Sequence, residues 1–242
     1  MRTTHSTGEI HEMTIAEHLR ELRGRLIKCL LAVAVGTLLA FLFTGTIFDL
    51  LKSRAEGIQL VRTQMTEMVG AYFKVAMISG MVLAMPVLVY QGVMFVVPAL
   101  TAKEKRYLYL LMPGVLVSFV IGVLFAFFVL LPPALNFLLS FGADIAQPMI
   151  KVGDYVSLVA GMLFWIGLSF EMPLIISFLA RIHVVRPSFL ARHRRYAILG
   201  AFVLGAVITP TVDPLNQALV SVPLMLLYEL GIWLGRLAWK EG

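Results

Sequence analysis

Residues 26–51 read LIKCLLAVAVGTLLAFLFTGTIFDLL, twenty-six residues whose only charges, Lys28 and Asp49, stand near the two ends. At about 1.5 Å per residue, a helix of this length crosses a hydrocarbon core of about 30 Å. Apolar side chains fall on every side of it, and a helix that is apolar all round is buried or spans a membrane. Five more apolar segments follow, at 68–97, 108–131, 156–180, 196–209 and 215–234. The chain of 242 residues is 60% hydrophobic and 14% charged, with a mean hydropathy of +0.89. A soluble domain carries about 25% charged residues, so too little polar material is present to cover a water-facing surface. The fold expected is all-α: a polytopic membrane protein with six transmembrane helices in a curved, cup-like bundle, the last two short. No repeat or low-complexity segment divides the chain, and 1–242 reads as one domain.

The formal charge of +6 is not a nucleic-acid signature, because no basic face with interleaved aromatics appears. It reflects the gathering of Lys and Arg on one side of the membrane. Fifteen of the twenty basic residues fall at 2–28, 103–106, 181–195 and 236–240, and five fall in the intervening connections and their flanks. That bias predicts both termini in the cytoplasm, with Asp144 in an outer loop. Tyr107, Tyr109, Tyr196, Trp233 and Trp239 stand at the same ends, as interfacial anchors do. Residues 1–25 hold no apolar core of a cleavable export signal. The single cysteine, Cys29, excludes an intrachain disulfide.

The basic side holds two glutamates at helix starts. In TIAEHLRELRGRL (14–26), Ile15, Leu19, Leu22 and Leu26 make one apolar stripe. Thr14 and Glu17 form a capping box. Residues 1–25 thus read as a cytoplasmic amphipathic segment lying in the interface ahead of the first span. Glu21 precedes Arg25 by four residues, the favourable order for a helical ion pair. Further on, Thr101 and Glu104 in PALTAKEKR (98–106) form a second capping box. Local structure alone accounts for both carboxylates on this reading.

Seven stretches, in order, add a second reading. They are HLRELRGRL (18–26), MPVLVYQGVMFVVPAL (85–100), KEKR (103–106), SFEMPLII (169–176), RRYAILGAFVLGAVITP (194–210), DPLNQ (213–217) and YELG (228–231). Together they resemble the TatC family, the multi-spanning signal-peptide receptor of the twin-arginine protein translocase, over nearly the whole chain. The departures are few. Lys52-Ser53-Arg54 stands where the family commonly has a proline, and Gly92-Val93-Met94 follows the Tyr-Gln pair where an aromatic is usual.

The resemblance implies a receptor in the bacterial cytoplasmic (inner) membrane. It would bind twin-arginine signal peptides of folded cargo and assemble with single-span TatA/TatB-type subunits. It would also self-associate, and it would draw on the proton-motive force. The family's signal-contacting glutamates match Glu21 and Glu104, with His18, Leu22, Arg23, Phe95 and Pro98 around them. Glu171 and Gln217 match polar positions within the membrane. The chemistry is sensible, since a guanidinium fork is accepted bidentately by a carboxylate. No enzyme activity, cofactor or metal is implied.

Glu171, between Phe170 and Met172, is nearly alone among polar groups at mid-depth. Such a carboxylate faces a bundle interior or a hydrated groove. It serves either as a buried hydrogen-bonding partner or as a polar surface for partners. Pro86, Pro113 and Pro173 fall within apolar runs and should bend them. Gly231 and Gly235 form a GxxxG pair suited to a helix contact.

Two other classes fit less well. An intramembrane serine protease needs a base beside its nucleophile, but all five histidines lie outside the apolar segments. HEMTI (11–15) departs from the zinc motif H-E-x-x-H at its last position. A small-solute secondary transporter would place several polar groups near the midplane, and it is the alternative reading.

Overall fold

The structure is a computed structural model that describes residues 15–55, 60–97, 100–140, 149–209 and 214–239. Five helical stretches are long and apolar enough to cross a membrane: 19–52, 67–96, 103–140, 152–181 and 216–238. The remaining apolar segment is α8, Arg194–Ile208, only 15 residues. It extends about 22 Å at 1.5 Å per residue. Six apolar segments are therefore present, but α9, Pro214–Ala238, runs 25 residues. Of the two segments expected to be short, only the fifth is.

The N-terminal amphipathic segment leads into the first span within one helix, as α1 runs unbroken over Ile15–Lys52, 38 residues. No proline lies within it, so nothing removes a backbone donor at the polar-to-apolar boundary. The stripe residues Leu19, Leu22 and Leu26 stay exposed on the protein. Thr14 of the expected capping box lies outside the described residues.

Helix α2 (Glu67–Val96) packs along α1. Their crossing is set by two glycines. A Cβ on Gly36 would stand 2.5 Å from the Gly80 carbonyl oxygen, and one on Gly80 would stand 2.4 Å from Thr37 Cα. The backbones therefore touch, the close approach that small residues permit in membranes. Small residues recur elsewhere in the core, with Ala76, Ala126 and Ala180 fully buried. Large apolar side chains such as Leu42 and Leu110 instead point outward, both 76% exposed. That distribution suits a solvent of lipid.

Helix α3 (Ala102–Phe125) passes through a π-helical turn, Ala126–Leu130, into α4 (Leu131–Ser140). The turn immediately precedes Pro132 and Pro133. Their missing N–H groups leave the carbonyls four residues back without donors, and Leu131 N–H bonds Ala126 O, five residues back.

The fourth span is broken rather than bent. Helix α5 (Val152–Ser169) ends at Phe170 and α6 (Met172–Arg181) begins after Glu171. Pro173 supplies no donor to the preceding turn. Leu174 N–H bonds Glu171 O at 3.1 Å, and the Phe170 carbonyl accepts from Ser118 Oγ at 2.6 Å. Ser118 of α3 thus satisfies the break.

A short helix, α7 (Pro187–Arg192), leads into α8. Helix α9 closes the bundle against α6 and α8. A Cβ on Gly231 would meet Ile176 Cδ1 at 2.7 Å, and one on Gly235 would meet Ala180 Cβ at 3.4 Å. The GxxxG pair therefore makes its contact within the chain, against α6. Pro223 also lies inside α9.

Side-chain ties define the two ends of the bundle. At one end Tyr155 Oη donates to Leu51 O at 2.6 Å. There β1 (Leu60–Val61) also pairs in parallel with β2 (Ile150–Lys151), Leu60 opposite Ile150. Glu67 joins the same loops, accepting Thr63 N–H at 2.8 Å and Gly153 N–H at 3.0 Å. The opposite, basic end carries Glu21 and Glu104.

Candidate functional site

At the basic end three helix termini are held together by side chains. Glu21 lies near the start of α1 and forms the expected ion pair with Arg25, whose Nε donates to Oε1 at 3.0 Å and whose Nη2 also reaches that oxygen. Arg25 Nη1 reaches Gln91 Oε1 of α2 at 3.5 Å. Tyr109 Oη of α3 contacts Met94 Sδ of α2 at 3.8 Å. The end of α2 therefore bridges the starts of α1 and α3.

The capping box that opens α3 is formed. Thr101 N–H and Thr101 Oγ1 both donate to Glu104 Oε2 at 2.7 Å. An acceptor of several donors fixes its carboxylate without consuming both oxygens, since each oxygen carries two lone pairs. Glu104 Oε1 accepts no hydrogen bond among the described residues.

Glu21 shows the same division. Oε1 is held by Arg25, while Oε2 is buried and has no donor among the described residues. Both side chains of the pair are only 20% exposed. A buried carboxylate oxygen without a partner costs about 1–3 kcal/mol, and an arriving N–H donor would recover that. Each glutamate thus has one oxygen held locally and one without a donor among the described residues.

The other candidates spread around these two. His18 lies on α1 one turn before Glu21, and its side chain is outside the described residues. Leu22 and Arg23 are exposed on the same helix. Phe95 is half-buried on α2, four residues beyond Gln91. Pro98 lies outside the described residues. Sequence reasoning missed Gln91 as a site residue. The pair it makes with Arg25 spans 66 residues, a separation no local pattern encodes.

Deeper in the bundle, Glu171 occupies the break between α5 and α6 and is 6% exposed. Its Oε1 has no partner among the described residues. It lines a cavity of about 230 Å³ between α2, α3 and α6, with Val93, Val96, Leu108, Leu111 and Phe178 among the walls. Glu171 is the only ionisable side chain among the described residues of that lining. Gln217 is placed differently. Its Nε2 donates to Phe202 O at 2.7 Å and ties α9 to α8.

The chain can now be set beside known proteins. The family model described as Sec-independent protein translocase protein (TatC) matches residues 17–223. The Sec-independent protein translocase protein TatC of Aquifex aeolicus (strain VF5) is 39% identical over 235 residues, covering 95% of this chain and 97% of the relative. The protein of the same name from Carboxydothermus hydrogenoformans is 35% identical over 226 residues, 93% of each chain. A solved structure described as the crystal structure of the twin arginine translocase receptor TatC superposes with a TM-score of 0.84. It is 39% identical, over 92% of this chain and 99% of that one. With this extent of shared sequence and shared helical architecture, the chain belongs to the TatC family.

Proposed function

We propose that this chain is the signal-peptide receptor and core subunit of a twin-arginine translocase. The observation that carries the proposal is the shared state of Glu21 and Glu104, each with one oxygen held by its own helix and one without a donor among the described residues. An arginine pair presents two planar forks, and two carboxylates answer them. A basic surface otherwise repels such a peptide, so recognition depends on local negative charge. His18, Leu22, Arg23, Phe95 and Pro98 supply the flanking surface for the rest of the signal.

The basic end is the cytoplasmic one in this proposal, with both termini there and the chain in a bacterial inner membrane. The fifteen-to-five distribution of basic residues supports it. Glu171, with its open oxygen in an apolar groove, serves single-span partner subunits within the membrane. Gln217, which ties α9 to α8, is the second intramembrane polar position of this reading. Self-association and coupling to the proton-motive force complete the proposal. Placement in the TatC family does not favour a solute transporter.

Photocrosslinking tests the reading. A photoreactive residue at position 22 or 95, in the flanking surface that leaves both glutamates in place, should capture a twin-arginine signal peptide and capture a twin-lysine control much less. Equal capture of both peptides, or none of either, would reject the assignment.

A further inference from the structure

Between α3, α6 and α9, at the same end of the bundle, lies a second cavity of about 350 Å³ lined by Tyr107, Ser177, Arg181, Leu234, Leu237 and Ala238. Arg181 ends α6 and is half-buried. Its Nη1 donates to Ala238 O at 3.3 Å, and its guanidinium stands 5.7 Å from the Tyr107 ring centroid. A guanidinium carries five N–H donors, and this single long bond engages one of them. No carboxylate among the described residues pairs with Arg181. Capping the end of α9 is the bland role, and among the described residues it leaves most of the fork unused.

Two hydroxyls face the same cavity. Tyr107 Oη and Ser177 Oγ stand 3.2 Å apart, and Ser177 is 4% exposed. One hydroxyl donates to the other, so the second keeps a hydrogen to offer. The remaining wall is apolar, with Leu237 62% exposed on the outer surface of α9. A cation and hydroxyls at the helix ends, above leucines that face outward, match an anion whose attached chains enter the bilayer. Basic pockets between membrane helices at the cytoplasmic side bind lipid head groups in this way.

We infer that the Arg181–Tyr107–Ser177 cavity holds the phosphate of an anionic phospholipid from the surrounding leaflet. The lipid sits between α3, α6 and α9, at the ends of the three helices. This inference does not depend on which peptide the glutamates bind.

Native mass spectrometry of the purified full chain tests it, with phosphatidylglycerol or phosphatidylcholine added to the detergent. The parent should retain phosphatidylglycerol in preference to phosphatidylcholine. Arg181→Gln should lower retention about tenfold or more, the scale of a lost charge-assisted contact, and Tyr107→Phe should lower it by less. Arg236→Gln, outside the lining, should retain the lipid as the parent does. Thermal unfolding gives the parallel readout, in which phosphatidylglycerol raises the midpoint of the parent and of Arg236→Gln but not of Arg181→Gln. If Arg181→Gln does not fold, Ser177→Ala with Tyr107→Phe carries the test, and parental retention by that pair overturns the proposal. Parental retention by Arg181→Gln, or equal retention of the two lipids, overturns it too. Displacement by millimolar inorganic phosphate would mark a soluble-anion site and overturn the lipid assignment.

Discussion

Replacing Gly80 by valine tests whether the α1–α2 crossing supports the site at the basic end. A Cβ at Gly80 would lie 2.4 Å from Thr37 Cα and 2.5 Å from Thr37 N, whereas ordinary contact begins near 3.4 Å. The obstructing atoms are backbone, so no rotamer relieves the clash and the helices must part by about 1 Å. Overpacking of this kind costs about 1–3 kcal/mol, and valine belongs at the upper end because its methyls extend beyond Cβ. The gain in helix propensity over glycine is under about 1 kcal/mol and does not offset this. The same displacement acts on the Arg25–Gln91 contact, already 3.5 Å long, and another ångström removes it. Gly80→Val should therefore lower the thermal midpoint of the detergent-purified protein. It should also weaken twin-arginine peptide binding several-fold, by about 1 kcal/mol. Gly24→Ala is the control. A Cβ there meets nothing within 4 Å, and the change should be neutral or stabilising by up to about 1 kcal/mol. A Gly80→Val protein with parental midpoint and parental affinity would refute the reasoning.

Three further outcomes are expected. Ser118→Ala removes the donor to the Phe170 carbonyl and should cost about 0.5–1.5 kcal/mol; Ser118→Thr keeps the donor and should lose less, and equal midpoints for parent and alanine variant would contradict this. Glu171→Ala should weaken assembly with single-span partners in a pull-down more than it weakens peptide binding, because the carboxylate lies in the span and not at its basic end; lost peptide binding with intact assembly would reverse that division. Glu67→Gln leaves one oxygen where two now accept from Thr63 and Gly153. It should speed amide exchange in the β1–β2 pair, and unchanged exchange would show that the clasp is not needed.

The spans were legible because a bilayer demands long apolar runs, and residues 26–51 meet that demand in plain sight. The local contacts of the site were legible for a similar reason. Glu21 and Arg25 are neighbours on a helix face, and Thr101 with Glu104 follows the spacing of a cap, so sequence distance equals structural distance. Hydropathy marks where a helix leaves water, not where it ends, so the exact bounds of α1, residues 15–52, come from the structure. Pro173 announced a disturbance in the fourth span but not its form. That form depends on Ser118, 52 residues away, which satisfies the opened turn. Gln91 and the cavity beside Glu171 are likewise products of packing between helices distant in sequence.

The central claim is that Glu21 and Glu104 read an arginine pair by charge. Titrating twin-arginine and twin-lysine signal peptides against the parent, Glu21→Gln and Glu104→Gln tests it most directly. Glutamine preserves size and, at position 104, remains acceptable in a capping box, so folding and insertion should persist. Each variant should lose about 1.5–3 kcal/mol in twin-arginine binding, about one to two orders of magnitude, while the poorer twin-lysine binding changes less. Parental affinity for the twin-arginine peptide in both glutamine variants would reduce these residues to a helix ion pair and a cap, and would place the receptor site elsewhere.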